Sequence, residues 1–244
     1  YHFFFTSDGQ SHEFMFEESD YSDNSGALTI QLWESVSAPP ENTTYVPDDN
    51  FEQALIDLDY DDELDDYVLT ANISGVTTLD VSEKEISDLT GIEDFTALTT
   101  LDCNHNQLTS LDVSANTALI ELDLESNQLT ALDVSNNTNL TQLALNYNQL
   151  TTLDVSNNTA LINLECQTNL LTSLNVSNNT LLTRLECNTN QLTTLDVSAN
   201  TALTNLLCNN NQLTSLDLSS NTALTNLECY TNQLTSLDLS ANTA

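Results

Sequence analysis

The sequence predicts an α/β repeat solenoid, right-handed, with a parallel β-sheet on its concave side and turns or short 3₁₀ segments opposite. Three observations predict it. Leucine recurs at Leu101, Leu122, Leu143, Leu164, Leu185, Leu206 and Leu227, each 21 residues after the last. Asparagine recurs in the same register at Asn106, Asn127, Asn148, Asn169, Asn190, Asn211 and Asn232. Cys103, Cys166, Cys187, Cys208 and Cys229 share one column, which Leu124 and Leu145 fill in the other two coils. Self-similarity at such a period means stacked units that share one continuous core.

Each column has a physical role. A 22-residue coil starting at Leu79 precedes the regular ones, so the array runs from about residue 75 to 244, with the consensus LxCxxNQLTxLDVSxNTALxx. Leu101, Cys103, Leu108, Leu111, Val113 and Leu119, with their equivalents, are spaced so that every coil turns the same apolar groups inward. The amides of the Asn106 column can bond the backbone of a tight bend, whose buried polar groups would otherwise lack partners. A second column, Asn116, Asn137, Asn158, Asn179, Asn200, Asn221 and Asn242, is expected to do so at the opposite bend. A column that accepts leucine is a core column. No CxxC spacing suits a metal, and in-register neighbours on parallel strands are poorly placed for a disulfide. Five buried thiols acting as small hydrophobes are therefore expected.

These coils resemble the cysteine-containing leucine-rich repeats of bacterial surface proteins, similar to the internalin J type of adhesin and to large secreted proteins of the Bacteroidetes. The run Tyr45-Val46-Pro47-Asp48-Asp49-Asn50-Phe51-Glu52-Gln53-Ala54-Leu55, followed by Tyr67-Val68-Leu69-Thr70-Ala71-Asn72-Ile73, resembles the helical cap that precedes such arrays. The resemblance spans residues 45–244. It implies a leucine-rich-repeat fold, an extracellular or cell-surface location, and a binding or adhesive role. It does not specify a ligand, since function sits in variable positions on a shared scaffold.

Ahead of the array, residues 1–36 alternate in a strand-like manner: Phe14 and Phe16 face one way, as do Leu28, Ile30 and Leu32. They read as the C-terminal part of a truncated β-sandwich. Residues 37–44, with Pro39-Pro40, read as a linker. Residues 45–74 form the helical N-terminal cap, its helix running from Asp48 to about Leu58 with Phe51, Leu55 and Leu58 as the apolar stripe.

Charge narrows the partners. The chain carries 37 acidic residues against Lys84 and Arg184 alone, a formal charge of -35. Nucleic-acid phosphates and anionic lipid headgroups are repelled by such a surface. No stretch approaches the roughly 18 apolar residues that span a bilayer, so membrane insertion is not expected. Catalysis finds no support. Of the side chains that titrate near neutrality only His2, His12 and His105 are present, and none belongs to a nucleophile or metal-ligand motif.

Binding candidates lie in the outward positions of xLxCxx, beginning with Thr100, Asp102, Asn104 and His105. Aromatics supply contact area and amides supply hydrogen bonds, which singles out His105, Tyr147 and Tyr230, with Glu165, Arg184, Glu186 and Glu228 around them. A protein or a glycan would suit this face. A second candidate is the row Asp112, Asp133, Asp154, Asp196, Asp217 and Asp238, interrupted by Asn175. Like charges one coil apart, at about 4.8 Å, repel by roughly 0.9 kcal/mol even in water, so the row needs cations, hydrogen bonds or salt.

No cofactor is required; calcium is the candidate at two acidic clusters rich in oxygen ligands, beside their reading as ordinary solvated turns. Asp57, Asp59, Asp61 and Asp65 match the first, third, fifth and ninth positions of an EF-hand loop, which Asp62 and Val68 then break. Glu18, Asp20, Asp23 and Asn24 precede a Ser25-Gly26 turn. The exposed threonine column from Thr109 to Thr235 has the regularity of ice-binding solenoids. The sequence thus favours a non-catalytic module that recognises a protein or glycan through its concave face. A structural spacer that self-associates through its open end is an alternative, and so is the targeting region of a larger secreted enzyme.

Overall fold

The structure, a computed structural model, describes the backbone of residues 2–7 and 10–15 and all of residues 41–243. It falls into two compact units, Tyr1–Pro40 and Glu41–Ala244. In the first, strands β1 (His2–Ser7) and β2 (Gln10–Met15) pair antiparallel, with Phe3 opposite Phe14. Phe16, the strand expected at Leu28 to Leu32, and Glu18, Asp20, Asp23 and Asn24 lie outside the described residues.

The second unit opens with a small two-stranded sheet, β3 (Thr43–Tyr45) against β4 (Tyr67–Leu69). Strand β3 begins inside the stretch expected to be a linker, because Thr44 is buried and its hydroxyl donates to Asp94 Oδ2 at 2.6 Å. Between these strands lies helix α1 (Asp49–Asp57). Asp48 caps it, Oδ1 accepting from the amides of Asn50 and Phe51 at 3.0 and 3.1 Å, as an N-cap carboxylate should. Phe51 and Leu55 are fully buried, and the Phe51 ring meets Phe95 of the array at 6.3 Å. Leu58 does not join them. It is the C-cap and 40% exposed, because Asp59 turns the chain with φ 61°; Tyr60, further on, packs against the core. A short helix α2 (Thr70–Ile73) follows β4.

The array itself is a parallel-sheet solenoid. Strands β5 (Thr78–Asp80), β6 (Thr100–Asp102), β7 (Glu121–Asp123), β8 (Gln142–Ala144), β9 (Asn163–Glu165), β10 (Arg184–Glu186), β11 (Asn205–Leu207) and β12 (Asn226–Glu228) form one sheet in sequence order. Their register aligns Leu79, Leu101, Leu122 and each later equivalent. Opposite the sheet, each coil bends through turns such as Asn116 N to Val113 O at 3.0 Å and Leu119 N to Asn116 O at 3.1 Å. Ile92–Asp94 makes a 3₁₀ turn in the first coil. Gly91, just before it, has φ 103°, and a Cβ there would lie 2.8 Å from Tyr45 O.

The expected core columns are inward. Leu101, Cys103, Leu108, Val113 and Leu119 are fully buried, as are most of their equivalents, in one core that also includes Phe51, Leu55, Val68 and Ile73. Each such leucine contributes about 1.5–3 kcal/mol by leaving water. The Asn106 column seals the bend after each strand. Asn127 Nδ2 donates to Cys103 O and Leu124 O at 3.0 and 3.2 Å, and its Oδ1 accepts from Leu108 N at 3.0 Å. The opposite column is only half used. Asn158 Nδ2 donates to Val134 O and Asn137 O, both at 2.9 Å, while its buried Oδ1 has no hydrogen-bond partner.

The five cysteines are free thiols, four buried and Cys229 half-buried in the last coil. Burial pushes Cys166 and Cys208 up to about 12. At pH 8 their thiolate fraction is then on the order of 10⁻⁴. Native protein treated with a thiol-specific disulfide reagent should therefore release chromophore only slowly, from Cys229 first. Full labelling on mixing, without denaturant, would contradict this packing.

Candidate functional site

The outer face of the eight-stranded sheet is where the repeat consensus leaves side chains free. Within a coil the strand turns out its first and third residues and buries the second, as pleating requires. The next column, Cys103 and its equivalents, points in, and the one after, Asn104 and its equivalents, returns to the outer face. The following residue is a bend. His105, Ser126, Tyr147, Thr168, Thr189, Asn210 and Thr231 all have φ between 52° and 55°, left-handed values that non-glycine residues seldom adopt. Each then hands the chain to the sealing asparagine.

This geometry separates the residues that the sequence singled out. His105 and Tyr147 sit at the bend, two coils apart, whereas Tyr230 occupies the Asn104 column of the last coil. The two tyrosines, 52% and 60% exposed, form no common platform. Glu165, Arg184 and Glu186 do come together. Arg184 Nε lies 3.3 Å from Glu165 Oε1, and its Nη2 is bonded to Glu186 Oε1. Glu228 lies two coils further along the same column.

That column is the site's main feature; the sequence singles out Glu165, Glu186 and Glu228 in it, and Asp102 among the outward positions, without joining them into one row. It reads Asp80, Asp102, Asp123, Ala144, Glu165, Glu186, Leu207 and Glu228, one residue per strand. Asp102, Asp123 and Glu186 all resist ionisation. Burial is the main cause in each, reinforced by Asp123 and Asp80 at Asp102, by Glu125 and Glu165 at Asp123, and by Glu165 and Glu228 at Glu186. The Asn104 column lies against this row. The buried Asn146 donates from Nδ2 to Glu125 Oε2 at 3.3 Å and Glu165 Oε2 at 3.0 Å, and its Oδ1 accepts from Gln167 N at 3.1 Å.

A raised carboxylate pKa means that ionisation costs stability above that pKa and the cost vanishes as pH falls through it. Asp123→Asn should therefore stabilise the protein at pH 7. It keeps the acceptor that takes the Glu125 amide at 2.9 Å and removes repulsion of roughly 0.9 kcal/mol per neighbouring charge. We expect a Tm about 2–4 °C higher, the gain shrinking on acidification; a lower Tm at pH 7 would contradict the assignment of strain to this row.

The other aspartate row behaves in the opposite way. Asp112, Asp133, Asp154, Asp196, Asp217 and Asp238 each accept from the backbone amide of the serine two residues on, at 2.8 to 2.9 Å. Bonds from that serine's amide and hydroxyl hold all six below the usual carboxylate range. Hydrogen bonding meets the requirement set by their mutual repulsion, and Asn175 makes the same bond to Ser177 at 3.1 Å.

Among the described residues no three carboxylate, imidazole or thiol groups converge to hold a metal. The four aspartates of the EF-hand match sit in different local settings. Asp57 pairs with Lys84 at 3.4 Å and takes a bond from Gln53, Asp65 accepts from Tyr67 N at 3.0 Å, and Asp59 lies at the left-handed bend. Asp61 keeps a buried Oδ2 with no partner.

Comparison with known proteins follows from these columns. The functional domain of internalin J from Listeria monocytogenes, described as including a cysteine ladder, is 35% identical with a TM-score of 0.52, over 82% of this chain and 55% of that one. The array is an internalin J-like leucine-rich-repeat solenoid. A curated internalin J of the same organism is 44% identical over 73 residues, 30% of this chain and 8% of that protein. The internalin J-like chain thus spans a small part of its curated relative. A leucine-rich-repeat protein of Leptospira interrogans is 28% identical with a TM-score of 0.57, over 61% of this chain and 41% of that one. Internalin C2 of Listeria monocytogenes shares the fold, with a TM-score of 0.77 at 23% identity over 84% of this chain and 95% of that one. No family model matches the chain.

Proposed function

We propose that this chain is a non-catalytic, extracellular recognition or adhesion module that docks a partner protein on the outer face of its sheet. The observation that carries the reading is the row of carboxylates Asp102, Asp123, Glu165, Glu186 and Glu228, at least partly buried on the outer face of the sheet, where burial pushes Asp102, Asp123 and Glu186 up. The likeness to internalin J supports a binding role, and the absence of a common aromatic platform favours a protein over a glycan. Among the described residues no helix is long and apolar enough to cross a membrane, and the reading needs none.

The test is retention of a panel of extracellular-matrix proteins on immobilised chain. Retention should fall at least tenfold when Asp123→Asn, Glu165→Gln and Glu186→Gln are combined. It should hold when Asp133→Asn, Asp154→Asn and Asp196→Asn are combined, a set that changes net charge equally and places asparagine where Asn175 already shows it is accepted. No retention across the panel, or equal loss with both sets, would sink the reading.

A further inference from the structure

We propose that the exposed threonines and glutamines running from Gln107 and Thr109 to Gln233 and Thr235 form an ice-binding surface. This surface stands apart from the carboxylate row of the sheet, and the proposal does not rest on the docking reading.

The surface begins where each coil leaves its sealing asparagine. Leu108 and its equivalents turn into the core, while the residues before and after them stay exposed. The residue after is threonine in all seven coils, and the residue before is glutamine in six, with Leu170 in the other. The next position is Ser110, Ala131 or Thr152 according to the coil. The repeats have therefore diverged beside a threonine column that has not changed.

No internal bond requires that threonine. In another column Thr99, Thr141, Thr183, Thr204 and Thr225 each donate a hydroxyl to the backbone of the preceding coil, at 2.9 to 3.3 Å. Among the described residues no hydrogen bond engages the hydroxyls of the Thr109 column or the side-chain amides of the Gln107 column. Two rows of donors and acceptors are thus repeated coil after coil and left to face solvent.

Charge is missing from the same place. Between the Asn106 and Leu111 columns no coil carries an acidic or basic residue, in a chain of net charge -35. The rows are also rigid. One backbone bond per coil fixes them, Gln128 N to Leu108 O and Gln149 N to Leu129 O at 2.9 Å, and Gln212 N to Leu192 O at 2.8 Å. Coils held this way repeat at about 4.8 Å, so the threonine row spans about 29 Å.

A ligand suited to this surface is uncharged, repeats at a similar interval, and both gives and accepts hydrogen bonds, as hydroxyls and amides do. Ice meets all three conditions, because the water molecules of its surface repeat at nearly the coil spacing. Each contact is weak, but a rigid row engages many at once. An insoluble glycan is uncharged and periodic too, yet these columns hold no aromatic ring on which sugars would stack.

The experiment measures thermal hysteresis and ice-crystal shape with the chain as it stands. The unmodified chain should open a gap between melting and freezing and facet the crystals. Thr151→Lys combined with Thr172→Lys, in the middle of the row, should shrink the gap at least fivefold. Thr159→Lys combined with Thr180→Lys, at exposed threonines of the opposite bend, should change it less than twofold. Thermal melts establish that both variants fold; if lysine disturbs the row, Thr151→Ala with Thr172→Ala answers the same question. No gap and no faceting with the unmodified chain would overturn the proposal, as would equal loss in the two lysine variants. Retention on crystalline cellulose or chitin without activity on ice would assign the surface to a glycan and overturn it as well.

Discussion

Replacing Asn148 by alanine is expected to destabilise the array by roughly 2–4 kcal/mol, because one buried amide serves four backbone groups. Its Nδ2 donates to Leu124 O, Leu145 O and Asn146 O at 2.9, 3.1 and 3.3 Å, and its Oδ1 accepts from Leu129 N at 3.0 Å. Alanine leaves Leu129 N–H buried without a partner, a loss of about 1–3 kcal/mol, and strips one of two side-chain donors from Leu124 O and Leu145 O, which keep Asn127 and Asn169 at 3.2 and 2.9 Å. Coils stabilise one another mainly through their neighbours, so the damage should centre on the coils that meet at residues 124 to 150. Urea unfolding would measure the loss and amide exchange at Leu129 would locate it. Asn158→Ala provides the comparison: that side chain makes two donations and its Oδ1 none that would be lost, so its cost should be distinctly smaller. Equal costs would overturn the difference drawn between the two ladders.

Asp48→Ala is expected to cost roughly 2–4 kcal/mol, the sum of a lost N-cap and a lost charged tie. Oδ1 caps α1, while Oδ2 accepts from Ser87 N, Ser87 Oγ and Asp88 N at 2.9, 2.8 and 3.0 Å. One carboxylate thus starts the helix and fastens it to the first coil. Burial pushes its pKa up, but the bonds from Ser87, Phe51 and Asp88 outweigh this and hold it below its ordinary 3.8. The sign follows: a depressed folded pKa gives stability that is fully present above the unfolded value and lost as pH falls through the folded one. The gap between the natural protein and Asp48→Ala should be level from about pH 5 to 8 and close below about pH 4. A gap independent of pH would show that the charge contributes nothing beyond packing.

Much of this molecule is legible because a repeat supplies its own alignment. The column shared by Cys103, Leu124 and Leu145 reads as core from composition alone, and it is core. The sealing role of Asn106 and its equivalents follows from their position at a bend. Less legible was the outer face of the sheet. Selecting His105, Tyr147 and Tyr230 by residue type placed together side chains that the fold keeps apart, since His105 and Tyr147 occupy a left-handed bend and Tyr230 a different column. Leu58 was misread because helical spacing continues on paper after the chain has turned at Asp59.

What the sequence determined by itself was the period, and with it which residues become neighbours: a fixed repeat of 21 residues puts Glu165 beside Glu186 on adjacent strands before any coordinate is known. What only the tertiary structure decided was how two rows of carboxylates with similar spacing differ. Asp112 and its equivalents find a serine two residues away and are relaxed. Asp102 and Asp123 also accept the amide two residues on, but with Glu186 they are drawn partly out of water by the sheet and left beside other carboxylates. The same holds for Asp48, whose partners Ser87 and Asp88 lie 39 and 40 residues on. Desolvation and long-range hydrogen bonds depend on what surrounds a group in space, which the order of residues along the chain does not record.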